Sequence, residues 1–250
     1  MLEVKEIYKH YTKAGAWLRK DRHQVLKGVS FSVRQGDCVG LVGESGSGKS
    51  TLSRIIMGLE APDQGEVLME GEAVNLWKKK HRGQMSVVFQ DYTTSVNSRF
   101  QVSDILAEPL QGSAKKQQEA KIRSLLEKVE LSTQLLTRYP HELSGGQLQR
   151  VCLARAISTE PKFLVLDEAL SSLDVSIQAQ MLGLLRRLKQ EFHLTYLFIA
   201  HDLQTITNLC DQVLFLYQGT IVEKIPSAKL YCAKNDYAKR LLQSVVAFDG

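Results

Sequence analysis

The sequence predicts an α/β protein, a mostly parallel sheet with helices on both faces, interrupted by a helical insertion. Three observations carry this. After Pro161, short apolar runs alternate with amphipathic runs at the spacing of strand–helix units. The glycine-rich segment "GESGSGKST" (43–51) follows an apolar run and opens a helix. From about 101 to 158 the strand pattern gives way to helical spacing.

In chain order, "VSFSV" (29–33) alternates strictly and "DCVGLV" (37–42) is a continuous apolar run, so both read as strands. "GEVLMEG" (65–71), bounded by glycines, and "SVVFQ" (86–90) are further short strands. In the helical stretch Ile122, Leu125, Leu126 and Val129 recur at i, i+3, i+4 and i+7, one face of a helix. "KFLVLDE" (162–168) reads as a strand, "SIQAQMLGLLRRLKQEF" (176–192) as a helix and "LTYLFIAHD" (194–202) as a strand. "LQTITNLC" (203–210) is a helix, and "QVLFLY" and "GTIVEK" pair around the Gln218–Gly219 turn. The last twenty-odd residues read as short helices, and no internal repeat or low-complexity segment is present.

The 250 residues, 44% hydrophobic and 24% charged, suffice for a sizeable core. No apolar run approaches a membrane span, and the charge-interrupted start "MLEVKEIYKH" does not read as a secretory signal. Any link to a membrane is therefore expected to be peripheral. The net charge of +5 permits contact with nucleic acid, nucleotides or anionic lipid. The one dense basic run, "KKKHR" (78–82), lacks interleaved aromatics and reads as a solvated face, not a nucleic-acid patch. Cys38, Cys152, Cys210 and Cys232 form no C-x-x-C pair. That spacing argues against zinc or iron–sulfur sites and predicts mostly buried thiols in a reducing cytosol.

Residues Gly43, Glu44, Ser45, Gly46, Ser47, Gly48, Lys49, Ser50 and Thr51 fit a phosphate-binding loop. Its backbone N–H groups wrap phosphates and the following helix adds its positive dipole end. Lys49 is expected to reach the β- and γ-phosphates, and the Ser50 hydroxyl to ligate Mg²⁺. Asp167 and Glu168 end an apolar strand, at the edge where open α/β sheets bind ligands. Asp167 is expected in the Mg²⁺ shell and Glu168 as the base for an attacking water. His201 ends another apolar strand and is read as a γ-phosphate contact, with Asp202 as helix N-cap. Gln90, ending the strand before the helical insertion, is placed to touch Mg²⁺ or water. Ser144, Gly145, Gly146 and Gln147 open a second helix with a hydroxyl and exposed N–H groups, an anion site apart from the first loop. Such a site best fits a phosphate held by another molecule.

Together these segments resemble the ATP-binding cassette (ABC) family across nearly the whole chain. "GESGSGKST" is similar to its Walker A loop, "LSGGQ" to its signature, "FLVLDE" to its Walker B strand and "SSLD" (171–174) to its D-loop. Gln90 matches the Q-loop glutamine, His201 the switch histidine, and Tyr11 the aromatic that stacks on adenine. The resemblance implies a P-loop NTPase core with an antiparallel β subdomain and an inserted helical subdomain. It implies one ABC ATPase domain over 1–250, with 1–90 and 159–225 as the core. Residues 91–158 would form the helical signature subdomain and 226–250 a short helical tail. ATP and Mg²⁺ are the implied cofactors, with Asp174 of the D-loop joining the nucleotide set.

Two such cassettes would clamp each ATP between the Walker loops of one and the signature of the other, driving two membrane permease subunits from the cytoplasmic face. "VFQDYTTSVNSRFQVSDILAEPL" (88–110), "RYPHELSGGQLQRVCLARAI" (138–157) and "NDYAKRLLQSVV" (235–246) look like importers of dipeptides, oligopeptides, nickel or metal chelates. In that group a heterodimer with a second, homologous ATPase is favoured over a homodimer. An extracellular or periplasmic substrate-binding protein would act indirectly, and no nucleic acid is expected. Ala169 and Ser172 depart from the common proline and alanine of this region. The cysteine-rich extension of many peptide-importer ATPases is missing, which argues against an iron–sulfur cluster. The alternative is a soluble ABC ATPase of DNA repair or translation, but the sequence has neither long coiled-coil or zinc modules nor a second cassette. A small-molecule kinase would leave "LSGGQ" and "SSLD" unexplained.

Overall fold

The computed structural model describes residues 1–12, 22–112, 114–170 and 173–246; Ser171 and Ser172 of the expected D-loop lie outside these. The chain divides into two compact units, one built from Met1–Lys80 and Leu197–Gly250, the other from His81–Tyr196.

The first unit opens with β1 (Leu2–Thr12), β2 (Arg22–Val33), β3 (Cys38–Val42), α1 (Lys49–Ile56), β4 (Gln64–Met69), β5 (Glu72–Ala73) and α2 (Val74–Lys80). An antiparallel sheet runs β2-β1-β4-β5. β1 has no counterpart in the sequence reading because its two-residue period is broken: the register shifts between Val4 and Ile7, and Glu6 sits at φ +48°. Leu2, Val4 and Ile7 are nonetheless all buried. In α2 the buried Trp77 donates its indole N–H to Glu70 (3.1 Å). The basic run divides by burial. Lys79 and Lys80 are exposed, whereas Lys78 is half-buried. Its ammonium donates to the Met57 carbonyl, and burial pushes its pKa down.

The second unit holds β6 (Met85–Val88), α3 (Val102–Ala107), α4 (Lys115–Lys128), α5 (Gly145–Ile157), β7 (Phe163–Asp167), α6 (Val175–Glu191) and the first residues of β8 (Thr195–Ala200). β6 and β7 pair in parallel, Val88 opposite Leu166. Strand β6 stops at Val88, so Gln90 lies two residues beyond the strand that "SVVFQ" predicted it would end. The cause is Asp91. Its carboxylate accepts the N–H groups of Thr93 (3.0 Å) and Thr94 (3.1 Å) and folds the chain into a turn. Ile122, Leu125, Leu126 and Val129 are buried as their spacing requires, Val129 as the C-cap of α4. Next to it Arg150 of α5, itself buried, donates to the Val129 carbonyl (3.0 Å) and to Glu130 (2.6 Å). Glu130 also accepts from Arg187 of α6 (2.7 Å), and these two guanidinium groups hold its carboxyl below the usual glutamate range.

The chain then completes the first unit with α7 (Leu203–Leu209), β9 (Gln212–Tyr217), β10 (Thr220–Pro226) and α8 (Asp236–Val246). There the strands run in the order β10-β9-β3-β8. β3 and β9 are parallel, Val42 opposite Phe215. Every residue of β3 is buried, as a parallel strand covered on both faces demands. Cys38, Cys152 and Cys210 are buried thiols, whereas Cys232 is exposed. Among the described residues no helix is long and apolar enough to cross a membrane.

Candidate functional site

The sequence-predicted residues fall in both units. Tyr11, the 43–51 loop and His201 belong to the first; Gln90, Ser144–Gln147, Asp167, Glu168 and Asp174 belong to the second.

In the first unit the loop leaves buried β3 and turns into α1 through Gly48, whose φ of +109° suits only glycine. A Cβ there would also lie 2.7 Å from the Leu26 side chain. The loop is held from several sides. Lys49 is 5% exposed and donates its ammonium to the carbonyls of Gly43 (2.7 Å) and Glu44 (3.0 Å). Ser47 N–H donates to Glu44 O (3.2 Å), and Gly219 N–H of the β9–β10 turn donates to Ser47 O (3.2 Å). Glu44 N–H donates to the Tyr237 hydroxyl (2.9 Å). Among the described residues the buried Ser47 hydroxyl has no hydrogen-bond partner, an orphaned polar atom inside the loop. Glu44, Ser45, Gly46 and Ser50 are exposed, which leaves the loop crest and the helix start open to a ligand.

Tyr11 is 37% exposed. Its hydroxyl donates to Glu60 (2.7 Å) and accepts from Arg54 (3.3 Å), and Arg54 also donates to the Thr51 hydroxyl (3.4 Å). Arg54 thereby ties the aromatic to the end of the phosphate loop. Burial alone would raise the Glu60 carboxyl, but hydrogen bonds from Tyr11, Lys9 and Arg54 outweigh it and hold it low. His201 is exposed in the bend after β8. Asp202 beside it caps α7 as expected, accepting the N–H groups of Gln204 (3.0 Å) and Thr205 (2.9 Å).

In the second unit β6 and β7 run parallel with Val88 opposite Leu166, so Gln90 and Glu168 leave the same sheet edge two residues beyond that pair. Asp167 ends β7 and is 8% exposed. Glu168 follows at φ +48°, a backbone conformation costing about 1–2 kcal/mol for a side-chain-bearing residue. Ser144 caps α5, accepting the Gln147 N–H (3.2 Å), while the Gln147 side chain accepts the Ser144 N–H (2.9 Å). This capping box leaves Ser144 and Gly145 exposed. A Cβ at Gly145 would lie 2.8 Å from the Tyr92 hydroxyl, and one at Gly146 would lie 3.3 Å from Ile177. Ile177 N–H in turn donates to Asp174 (2.9 Å), the N-cap of α6. The Ile177 N–H and the Ser176 hydroxyl hold the Asp174 carboxyl below its ordinary value. This unit therefore brings the Ser144–Gln147 helix start, the turn after Gln90 and Asp174 together.

Residues 26–171 match the family described as ABC transporter. The chain belongs to the ABC transporter family. Three relatives match nearly all of this chain. The metal-staphylopine import system ATP-binding protein CntF of Staphylococcus aureus is 43% identical, covering 99% of this chain and 100% of its own. The oligopeptide transport ATP-binding protein OppF of Streptococcus mutans is 42% identical, covering 98% and 81%. The nickel import ATP-binding protein NikE of Escherichia coli is 41% identical, covering 98% and 94%. A dimeric post-hydrolysis state of the ATP-binding cassette MJ0796 bound to ADP and Pi superposes with a TM-score of 0.80 at 26% identity, over 91% of this chain and 99% of that one. The α/β cassette fold expected from the sequence is thus the fold of the ABC ATPases, and the chain is an ABC ATPase.

Sequence reasoning missed three supports of this site: the Arg54–Glu60 frame around Tyr11, the Gly219 prop under Ser47, and the Tyr237 contact to Glu44. The capping box did have a signal, the S-x-x-Q spacing from Ser144 to Gln147.

Proposed function

We propose that this ABC ATPase energises an importer, hydrolysing ATP to drive uptake of peptides or of nickel or other metal chelates through a membrane permease. The relatives' import roles support this, and the observation that carries it is the loop at 43–51: Lys49 buried among carbonyls, an orphaned Ser47 hydroxyl and an open crest. The adenine would stack on Tyr11 and the phosphates would lie on Gly43–Thr51. Ser50, Gln90 and Asp167 would hold Mg²⁺; a hydroxyl, an amide oxygen and one carboxylate are the hard oxygen donors this ion takes alongside phosphates. When bound, the ion would neutralise charge on the β- and γ-phosphates. Glu168 would orient and deprotonate the attacking water, and His201 would contact the γ-phosphate.

Ser144–Gln147 and Asp174 would face a nucleotide held by a second, homologous ATPase, a heterodimer in preference to a homodimer. ATP would bind the closed pair better than the open one, and hydrolysis would remove that difference and reopen it. Two permease subunits would take up the motion at the cytoplasmic face of the membrane. An extracellular or periplasmic binding protein would deliver the cargo. Residues 91–158 would move as the helical signature subdomain. A test of the nucleotide site is calorimetric titration of the isolated chain with ATP and Mg²⁺. Lys49→Ala removes a charge-assisted contact and is expected to weaken binding about ten- to a hundredfold. Unchanged affinity would contradict the assignment of the loop.

A further inference from the structure

The segment "NDYAKRLLQSVV" opens α8, and its third residue reaches the phosphate loop. The helix start is fixed in place: Glu223 of β10 accepts the N–H groups of Lys234 (2.8 Å) and Asn235 (2.9 Å), and the Asn235 side chain accepts the N–H of Tyr237 (2.9 Å). The Tyr237 ring, only 4% exposed, packs on Tyr217 at the end of β9 with ring centroids 4.3 Å apart. With its backbone tied and its ring wedged, the phenol oxygen has little freedom. That oxygen accepts the Glu44 N–H at 2.9 Å.

This N–H belongs to the Gly43–Glu44 peptide, and the carbonyl of the same peptide, Gly43 O, accepts the Lys49 ammonium at 2.7 Å. A trans peptide is planar with its N–H and C=O on opposite sides. One peptide plane is therefore held at one end by Tyr237 and at the other by Lys49. Rotation of that plane would move the oxygen against which Lys49 is aimed. From this geometry we infer that Tyr237 is a positioning residue for nucleotide binding, setting the phosphate loop from the C-terminal helix by fixing the Gly43–Glu44 peptide. The inference rests on reading 43–51 as the ATP phosphate loop. Burial raises the Tyr237 phenol above its ordinary value, outweighing the opposite pull of the Glu44 N–H bond.

Tyr237→Phe keeps the ring and its stacking and removes only the hydroxyl that accepts the Glu44 N–H. In the full chain this variant is expected to bind ATP with Mg²⁺ about three- to tenfold more weakly, the worth of one hydrogen bond. The nucleotide-free melting temperature should match wild type. In the assembled complex the KM for ATP should rise with kcat unchanged. Lys49→Ala is titrated in parallel. If Lys49→Ala weakens ATP binding while Tyr237→Phe does not, the positioning role is overturned and the loop assignment stands. If neither variant changes affinity, the loop assignment falls and the inference with it. A lowered nucleotide-free melting temperature with unchanged KM would assign Tyr237 to packing alone and likewise overturn the inference.

Discussion

Glu168→Gln is expected to lower ATP turnover of the assembled complex by about two to four orders of magnitude while ATP stays bound. The amide matches the carboxylate in shape but cannot take a proton from water. Glu168 stands one residue beyond a fully buried strand at φ +48°. A left-handed residue there is held against its own preference, which the fold sustains only if the surrounding chain over-determines it. Because the substitution is isosteric, the backbone is expected to persist and the loss to appear in the chemical step. Phosphate release and retention of radiolabelled ATP, measured on the same preparation, separate the two effects. Near-normal hydrolysis would remove Glu168 as the base.

Ser144→Arg is expected to leave ATP affinity of the isolated chain unchanged and to cut turnover of the complex on the order of a hundredfold or more. Ser144 lies in the other compact unit from the 43–51 loop, on an exposed helix start beside Gly145. An arginine there puts bulk where the glycines keep a face bare. Loss of the N-cap costs about 1 kcal/mol of local stability. That is too little to unfold a unit whose α5 buries Leu148, Val151, Leu153 and Ile157. Weakened nucleotide binding by the isolated variant would sink the assignment of this helix start to a partner's ATP.

The parts of this protein legible in the sequence are those whose signal is local. Strand β3 shows as an apolar run because both its faces are covered, and α4 shows because Ile122, Leu125 and Leu126 share one buried face. The 43–51 loop is legible because its turn at Gly48 and the Lys49 contacts to Gly43 and Glu44 are made within the loop itself. Strand β1 was hidden because a bulge at Glu6 breaks its alternation. The apolar run before Gln90 implies a longer strand than forms, because the Asp91 turn follows closely after Val88 and Phe89. The Tyr237–Glu44 contact joins residues 193 apart in sequence. Tertiary packing alone brings them together, and no periodicity or spacing announces that.

The central claim, an engine that powers import through a permease, is tested most directly by purifying the tagged chain from membranes in mild detergent. The ATPase rate of what is recovered is then measured with and without cargo-loaded binding protein. The chain should bring with it a second homologous ATPase and two membrane-spanning subunits, and the rate should rise when the loaded binding protein is added. Recovery with nucleic acid or ribosomes instead, or a rate indifferent to the binding protein for every peptide and metal-chelate cargo tried, would contradict it.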